Sequence, residues 1–203
     1  MAPSTSNDPS SYLSFRLLSA IVWVGPALFT LVWVTGQWWH PSYNPQTDSI
    51  SYLAVGTNSW VQTTSFIILA IFSAMLTMAV RSTVGSSIRS WVGLSLLITF
   101  SAGVLGAGVF NVDSSWLPHQ IFSVFAFISI IGAMLVFWSV FRQSQKWQAL
   151  ASFSLGTGLI AAGLLLLVIM MSSDINGLIQ RLFILSWTLW LQVVSLRLLL
   201  HFR

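Results

Sequence analysis

The sequence predicts an all-α, polytopic membrane protein: a bundle of six transmembrane helices with the N-terminus and the C-terminus both cytoplasmic. Three observations predict this fold. The 203 residues are 56% hydrophobic and only 6% charged, whereas about a quarter of the residues in soluble domains are charged. The apolar residues come in stretches of about 20, the helix length that crosses the hydrocarbon of a bilayer. The basic residues lie in alternate connections between these stretches.

Six apolar windows meet the length requirement, and none has an acidic residue near its middle. We predict one transmembrane domain, 15–203, after a polar N-terminal tail, 1–14, which lacks the basic start of a secretory signal. The predicted spans are about 15–38, 61–80, 91–110, 118–141, 147–171 and 179–199. Small residues spaced by four predict close helix packing; they are Thr99, Gly103 and Ala107 in the third span and Gly158 and Ala162 in the fifth.

Seven of the eight lysine and arginine residues fall on one side of the predicted bundle: Arg16, Arg81, Arg89, Arg142, Lys146, Arg197 and Arg203. Because basic residues are retained on the cytoplasmic side, these connections and both termini are predicted to be cytoplasmic, in a protein of the cell (plasma or inner) membrane. Arg181 is the exception, at the outer end of the sixth span. The pI of ≈ 10.4 therefore reflects topology, and we expect membrane lipids, not nucleic acid, as partners.

The first outer connection, 39–60, is the longest and the most informative. Ile50, Leu53 and Ala54 share one helical face, which predicts a short interfacial helix over 48–55 that ends at Gly56. Asp48 would begin this helix. Its carboxylate either caps the helix by accepting the backbone N–H of Ser51 or belongs to a functional site, and both interpretations stay open.

Other polar residues are predicted to lie near this connection. Asp113 follows the third span, and His119 lies in the first turn of the fourth, behind Pro118. Arg181 can extend to the lipid head groups or pair with Asp113 or Asp48, and its position against the charge rule favours pairing. The sequence thus predicts an outer polar cluster of Asp48, Ser51, Asp113, His119 and Arg181.

Three short motifs occur along the whole chain. They are Tyr43-Asn-Pro45 followed by Asp48-Ser-Ile-Ser51 and Leu53; Ala102-Gly103 through Gly108-Val-Phe110 to Asp113 and His119; and Gly177-Leu-Ile-Gln-Arg181. In order and spacing they resemble the bacterial and archaeal six-helix membrane proteins grouped as "domain of unknown function 998". The resemblance implies the six-helix fold and its topology and adds weight to Ser51, Asp113, His119 and Arg181. It implies no particular activity.

Three functions are compatible with the outer cluster. The first is binding of a lipid head group or small amphiphile that enters sideways from the bilayer, with Arg181 bound to its phosphate or carboxylate. The second is a membrane-embedded hydrolase in which Ser51 is the nucleophile, His119 the general base, Asp113 its orienting partner and Arg181 the oxyanion donor. The third is a purely structural lock between the outer loops.

We expect no cofactor and no metal. The chain has no cysteine, which excludes thiolate catalysis, Cys-ligated zinc and iron–sulfur clusters. A zinc hydrolase would need His40, His119, Asp48 and Asp113 to meet around one ion, and only two histidines can lie on the outer side. Haem is disfavoured because the histidines do not lie at matching depths in facing spans. The sequence indicates neither a protein partner nor an oligomeric state.

Overall fold

The protein is described by a computed structural model over residues 9–170 and 173–201, and this part contains helices and no β-strand. The α-helices are α1 (Pro9–Gly36), α2 (Ser59–Arg81), α3 (Ile88–Val109), α4 (Trp116–Phe141), α5 (Ala151–Met170) and α6 (Asn176–His201). Short 3-10 turns lie at Gln37–Trp39, Ile50–Ala54, Gln148–Leu150 and Ser173–Ile175. We call the turn Ile50–Ala54 the loop helix.

Each predicted span corresponds to one α-helix, with different ends. Helix α1 begins at Pro9 and therefore includes residues 9–14, which the sequence placed in the tail. Helix α5 begins at Ala151 because the preceding residues form a 3-10 turn, while the buried Trp147 stacks on Phe141 with ring centroids 4.8 Å apart. Residues 1–8 of the predicted tail lie outside the described residues.

Within the described ranges, five helices, α2 to α6, are long and apolar enough to cross a membrane. The all-helical, multi-pass character predicted from composition is therefore confirmed. A sixth span through α1 and the cytoplasmic position of the termini stay predictions.

The helices pack in chain order, each on the next, and α6 closes the ring against α1. The predicted small-residue packing is confirmed at Gly103, where an added Cβ would lie 2.8 Å from the backbone of α4 at Phe122 and Ala126. It is also confirmed at Gly158, which packs on Leu135 of α4. Thr99 is exposed instead. Glycine at these contacts lets the helix backbones approach closely.

The 37–58 connection packs against the starts of α4 and α6 at one end of this ring. The 37–58 connection contacts the start of α6 through the Leu178 N–H, which donates to the Gln46 carbonyl at 3.0 Å. It contacts the first turn of α4 through the hydrogen bond between Ser51 and His119. At the opposite end the Arg197 guanidinium donates to the Lys146 carbonyl. We call the end that holds Ser51 and Arg181 the site end.

Candidate functional site

The α1–α2 connection folds back on itself before the loop helix. The Asp48 carboxylate accepts the backbone N–H of Asn44 at 2.8 Å and the Thr47 hydroxyl at 3.0 Å. Of the two interpretations of Asp48, the cap on the Ser51 N–H is therefore wrong. The helix starts only at Ile50, and the tight turn over 44–48 brings the Asn44 N–H to the carboxylate. The predicted apolar face is confirmed, because Ile50, Leu53 and Ala54 are all buried.

Gly56 ends the loop helix region, as predicted. Its φ of 78° lies in the left-handed region, which glycine adopts without the steric cost that a Cβ imposes.

Arg181 is buried in the first turns of α6 and binds main-chain carbonyls. Its Nη1 donates to the carbonyl oxygens of Pro45 at 2.6 Å, Asp48 at 2.9 Å and Gly177 at 2.8 Å, and its Nη2 donates to the Tyr43 hydroxyl. Neither the Asp48 nor the Asp113 carboxylate is among these acceptors in the part of the chain that the structure describes. The predicted pairing of Arg181 is therefore replaced by a set of uncharged acceptors, which we call the Arg181 cluster together with Arg181 itself.

Tyr43 continues this network. Its hydroxyl accepts from Arg181 and donates to the Ser49 carbonyl at 3.1 Å. Burial raises the pKa of the Tyr43 hydroxyl from 10.0 to about 12, and the nearby Arg181 charge acts in the opposite direction. The hydroxyl therefore stays protonated at any physiological pH and acts as an uncharged partner of the guanidinium.

Gly177 allows the start of α6 to lie directly against the 44–48 turn. An added Cβ would lie 2.6 Å from the Asp48 carbonyl oxygen and 2.8 Å from the Gln46 carbonyl oxygen. Next to it, the Gln180 side-chain oxygen accepts the Ile50 N–H at 3.0 Å. The first turn of α6 thus holds both the turn and the loop helix.

Ser51 and His119 form a side-chain pair. His119 is 1% exposed, and its Nδ1 lies 2.9 Å from the Ala107 carbonyl and 3.0 Å from the Phe110 carbonyl, at the end of α3. Because a carbonyl only accepts, we assign the ring hydrogen to Nδ1, which leaves the Nε2 lone pair free. The Ser51 hydroxyl, 3.0 Å away, then donates to Nε2.

A narrow, mostly apolar cavity lies beside this pair. Ser51, Ser123 and Gln180 are its polar lining residues, and its apolar wall includes Phe29, Phe66, Phe100 and Trp187. The space open to the centre of a water-sized sphere is about 20 Å³, enough for about one water molecule. In this state the cavity does not hold a larger molecule.

The structure separates the predicted cluster. Arg181 and Asp48 lie in one network, Ser51 and His119 in another, and Asp113 is exposed in the α3–α4 connection. Among the described residues, no group of three or more His, Cys, Asp or Glu side chains is placed to hold a metal ion, so His40, His119, Asp48 and Asp113 do not form one ligand set.

Sequence reasoning did not single out the side chains of three residues at this end. Tyr43 and Gln180 lie within the quoted motifs, where spacing alone did not indicate a role. Gln62 lies inside an apolar window of α2 and is 1% exposed. Neither atom of its side-chain amide has a hydrogen-bond partner in the described part of the chain. A lone glutamine in a predicted span was the available signal, because polar groups inside a membrane are costly.

The long apolar helices and the buried polar groups at one end define a multi-pass helical membrane protein. The chain matches the family model described as "Protein of unknown function (DUF998)" over residues 23–197 and belongs to that family. The resemblance seen in the three motifs is thereby confirmed. No curated protein and no solved structure matches the chain.

Proposed function

We propose that the protein binds an amphiphile with an anionic head group, such as a phospholipid, at the site end. The observation that carries this proposal is the buried charge of Arg181. The residue is only 7% exposed. Among the described residues, its hydrogen-bond acceptors are uncharged carbonyl and hydroxyl oxygens, and its Nε is buried without a partner. A buried cation without an anionic partner is costly, so an anion that pairs with it binds favourably.

The remaining donors of Arg181 suit a phosphate or carboxylate. The Nη1 hydrogens bond to main-chain carbonyl oxygens, and one Nη2 hydrogen bonds to the Tyr43 hydroxyl. The Nε hydrogen and the second Nη2 hydrogen remain, and this planar edge binds two oxygens of one anion. Nε is covered in this structure, so an anion reaches it after nearby side chains move. The Trp33 ring, 6.0 Å from the guanidinium carbon, is one of these neighbours.

A lateral groove between α1 and α6 can receive the apolar tail. The groove is open on one side, and its space for a water-sized sphere is about 490 Å³. Val34 lines it next to Trp33, and Leu185 lines it one helical turn from Arg181. A chain that lies in the groove would therefore have its head group close to the guanidinium.

Native mass spectrometry of gently purified protein tests this proposal. Leu185 and Leu182 are both exposed leucines of α6, 39% and 47% respectively, but only Leu185 lines the groove. We expect the wild type and Leu182→Trp to retain an anionic lipid and Leu185→Trp to lose it. Arg181→Lys keeps the charge without the planar edge and is expected to lose preference for anionic over zwitterionic lipid. Equal retention by all four proteins would overturn the proposal.

Ester hydrolysis is a second candidate function, favoured by the Ser51–His119 hydrogen bond. The Ser51 oxygen would attack an ester carbonyl and pass its proton to His119 Nε2, which returns it to the leaving alkoxide. Water, deprotonated by His119, would then release the acyl group from Ser51. The carbonyls of Ala107 and Phe110 hold the imidazole in the role first assigned to Asp113.

Gln180 takes the oxyanion role that the sequence assigned to Arg181. Its oxygen is held by the Ile50 N–H, and its side chain lines the same cavity as Ser51. The amide hydrogens are then available to an oxyanion formed at Ser51. Because the cavity admits only about one water, an ester requires it to widen.

Covalent labelling with a small alkyl fluorophosphonate tests the second candidate. We expect a single adduct on wild-type protein in nanodiscs, no adduct on Ser51→Ala, and slower labelling of His119→Gln and Gln180→Ala. Ser123→Ala is the matched control, because Ser123 lines the same cavity. Labelling that survives in Ser51→Ala, or no labelling of the wild type, would contradict this function.

We further propose that α1 is a sixth span and that the site end faces outward, with both termini cytoplasmic. The charge asymmetry supports this orientation. Because the chain has no cysteine, a membrane-impermeant maleimide can report it through Ser42→Cys at the site end and Ser86→Cys in the α2–α3 connection, both at exposed positions. We expect labelling of Ser42→Cys in intact cells and of Ser86→Cys only after permeabilisation; the reverse result would invert the topology.

A further inference from the structure

A second small cavity at the site end lies between α1, α2 and the loop helix. Its lining residues are Val32, Gly36, Trp39, His40, Leu53, Asn58, Val61 and Gln62. The space open to the centre of a water-sized sphere is about 20 Å³, which admits about one water molecule. Neither Arg181 nor the Ser51–His119 pair lines it.

Three buried polar atoms of the lining residues have no hydrogen-bond partner within residues 9–170 and 173–201. Two are the Oε1 and Nε2 atoms of Gln62, whose side chain is 1% exposed, and the third is Nδ1 of His40. Buried polar atoms in folded proteins nearly always have a partner, either in the protein or in a bound molecule. That these three atoms belong to two residues that line one cavity indicates a binding site with its own hydrogen-bonding pattern.

The hydrogen bond made by His40 Nε2 determines whether Nδ1 donates or accepts. Nε2 lies 3.3 Å from the Val55 carbonyl oxygen. Because the carbonyl only accepts, we assign the ring hydrogen to Nε2, which leaves Nδ1 with a lone pair. The side chains of two lining residues therefore offer two acceptors, His40 Nδ1 and Gln62 Oε1, and one donor group, the Gln62 amide nitrogen.

A neutral hydroxyl group fits this pattern, because it donates one hydrogen bond and accepts others. An anion would meet two acceptors. A metal cation would gain two neutral ligands but no carboxylate from the cavity lining, among apolar walls such as Leu53 and Val61, and burying a charge in such a place is unfavourable. We infer that this cavity binds a neutral hydroxyl group through Gln62 and His40, independently of the anionic site proposed at Arg181.

The hydroxyl can come from water or from a lipid head group. The size of the cavity suits a water molecule, whereas Trp39 and Asn58 are exposed lining residues and place the cavity near the surface. Phosphatidylglycerol carries hydroxyl groups on its head group and phosphatidylcholine carries none. Nanodiscs made from one or the other lipid therefore distinguish the two sources.

Magnetisation transfer from the Gln62 side-chain amide tests the inference. The full chain, labelled with ¹⁵N-glutamine, is placed in nanodiscs of dioleoyl phosphatidylcholine or dioleoyl phosphatidylglycerol. The Gln62 resonances are identified as those lost in Gln62→Met and kept in Gln192→Met, a matched control because Gln192 lines the α1–α6 groove instead. We expect transfer from the Gln62 amide to a hydroxyl hydrogen at the water frequency in both lipids, or to a head-group hydroxyl in phosphatidylglycerol alone.

Either pattern of transfer supports the inference and names the source. No transfer to a hydroxyl in either lipid would overturn it. A crystal structure of the wild type gives a second measurement that needs no variant. Density within about 3 Å of both Gln62 and His40 Nδ1 is expected, whereas a Gln62 amide that turns to bond main-chain groups would also overturn the inference.

Discussion

The Arg181 cluster and the Ser51–His119 pair lie at the same end of the bundle and use their hydrogen bonds differently. Arg181 donates to the main-chain carbonyls of Pro45 and Asp48 and so fixes the position of the α1–α2 connection against α6. His119 uses main-chain carbonyls only at Nδ1, and its Nε2 meets a serine hydroxyl beside a cavity. The first arrangement fixes the position of a loop, whereas the second leaves the Ser51 hydroxyl beside a narrow cavity.

Arg181→Gln should have the largest effect on stability, because it removes the residue on which the first arrangement depends. The carbonyls of Pro45 and Asp48 and the Tyr43 hydroxyl would lose their donor, and an unpaired buried polar group costs about 1–3 kcal/mol. We expect a loss of about 3–5 kcal/mol in the free energy of unfolding in detergent micelles, because three partly buried acceptors lose their donor. Arg181→Lys should recover part of it, and a loss below that of Ser51→Ala would show that the cluster does not hold the loops.

Gly177→Ala tests the same docking without removing a charge. The added Cβ would approach the Asp48 and Gln46 carbonyls at 2.6 and 2.8 Å, so the start of α6 must move away from the turn. Overpacking of this kind costs about 1–3 kcal/mol. Gly163→Ala, where an added Cβ meets nothing within 4 Å, is the control. Equal unfolding midpoints for the two variants would contradict the close docking.

Tyr43 should make the Arg181 cluster sensitive to alkaline pH. Its pKa is raised from 10.0 to about 12, first because of burial. A raised pKa contributes stability that is fully present below pH 10 and is lost as the pH rises toward 12. Since the residue is partly exposed, we expect a loss of about 1–2 kcal/mol. Unfolding measured from pH 9 to 12 should show it in the wild type and not in Tyr43→Phe.

Ser51→Ala tests whether the Ser51–His119 pair acts independently of the Arg181 cluster. It removes one hydrogen bond and leaves His119 Nε2 without its serine partner, a cost of about 1 kcal/mol. The variant should fold and keep the lipid retained by the wild type, while any fluorophosphonate adduct disappears. Loss of the retained lipid together with the adduct would show that the two regions act as one site.

The helices could be predicted from the sequence and the contacts of the site could not. An apolar window of about 20 residues is a helix whatever surrounds it, since the bilayer requires internally paired backbone groups. Three of the four acceptors of Arg181 are carbonyls, which every residue has, and the turn over 44–48 determines that two of them are those of Pro45 and Asp48. The same holds for His119, whose partners Ala107 and Phe110 have no polar side chain to indicate their role.

The charge pattern of the sequence predicted Asp113 as a partner of His119, and the structure does not show this pairing. Its substitution is expected to have the smallest effect of the variants discussed. A carboxylate close in sequence to His119 is the natural orienting partner, but the end of α3 supplies two carbonyls to Nδ1 and leaves Asp113 exposed. Surface substitutions of this kind change stability by less than about 0.5 kcal/mol. Asp113→Asn should therefore leave unfolding, lipid retention and fluorophosphonate labelling unchanged. A lowered labelling rate at unchanged stability would instead return Asp113 to His119 as its orienting partner, in a conformation in which the α3–α4 connection has moved toward the imidazole.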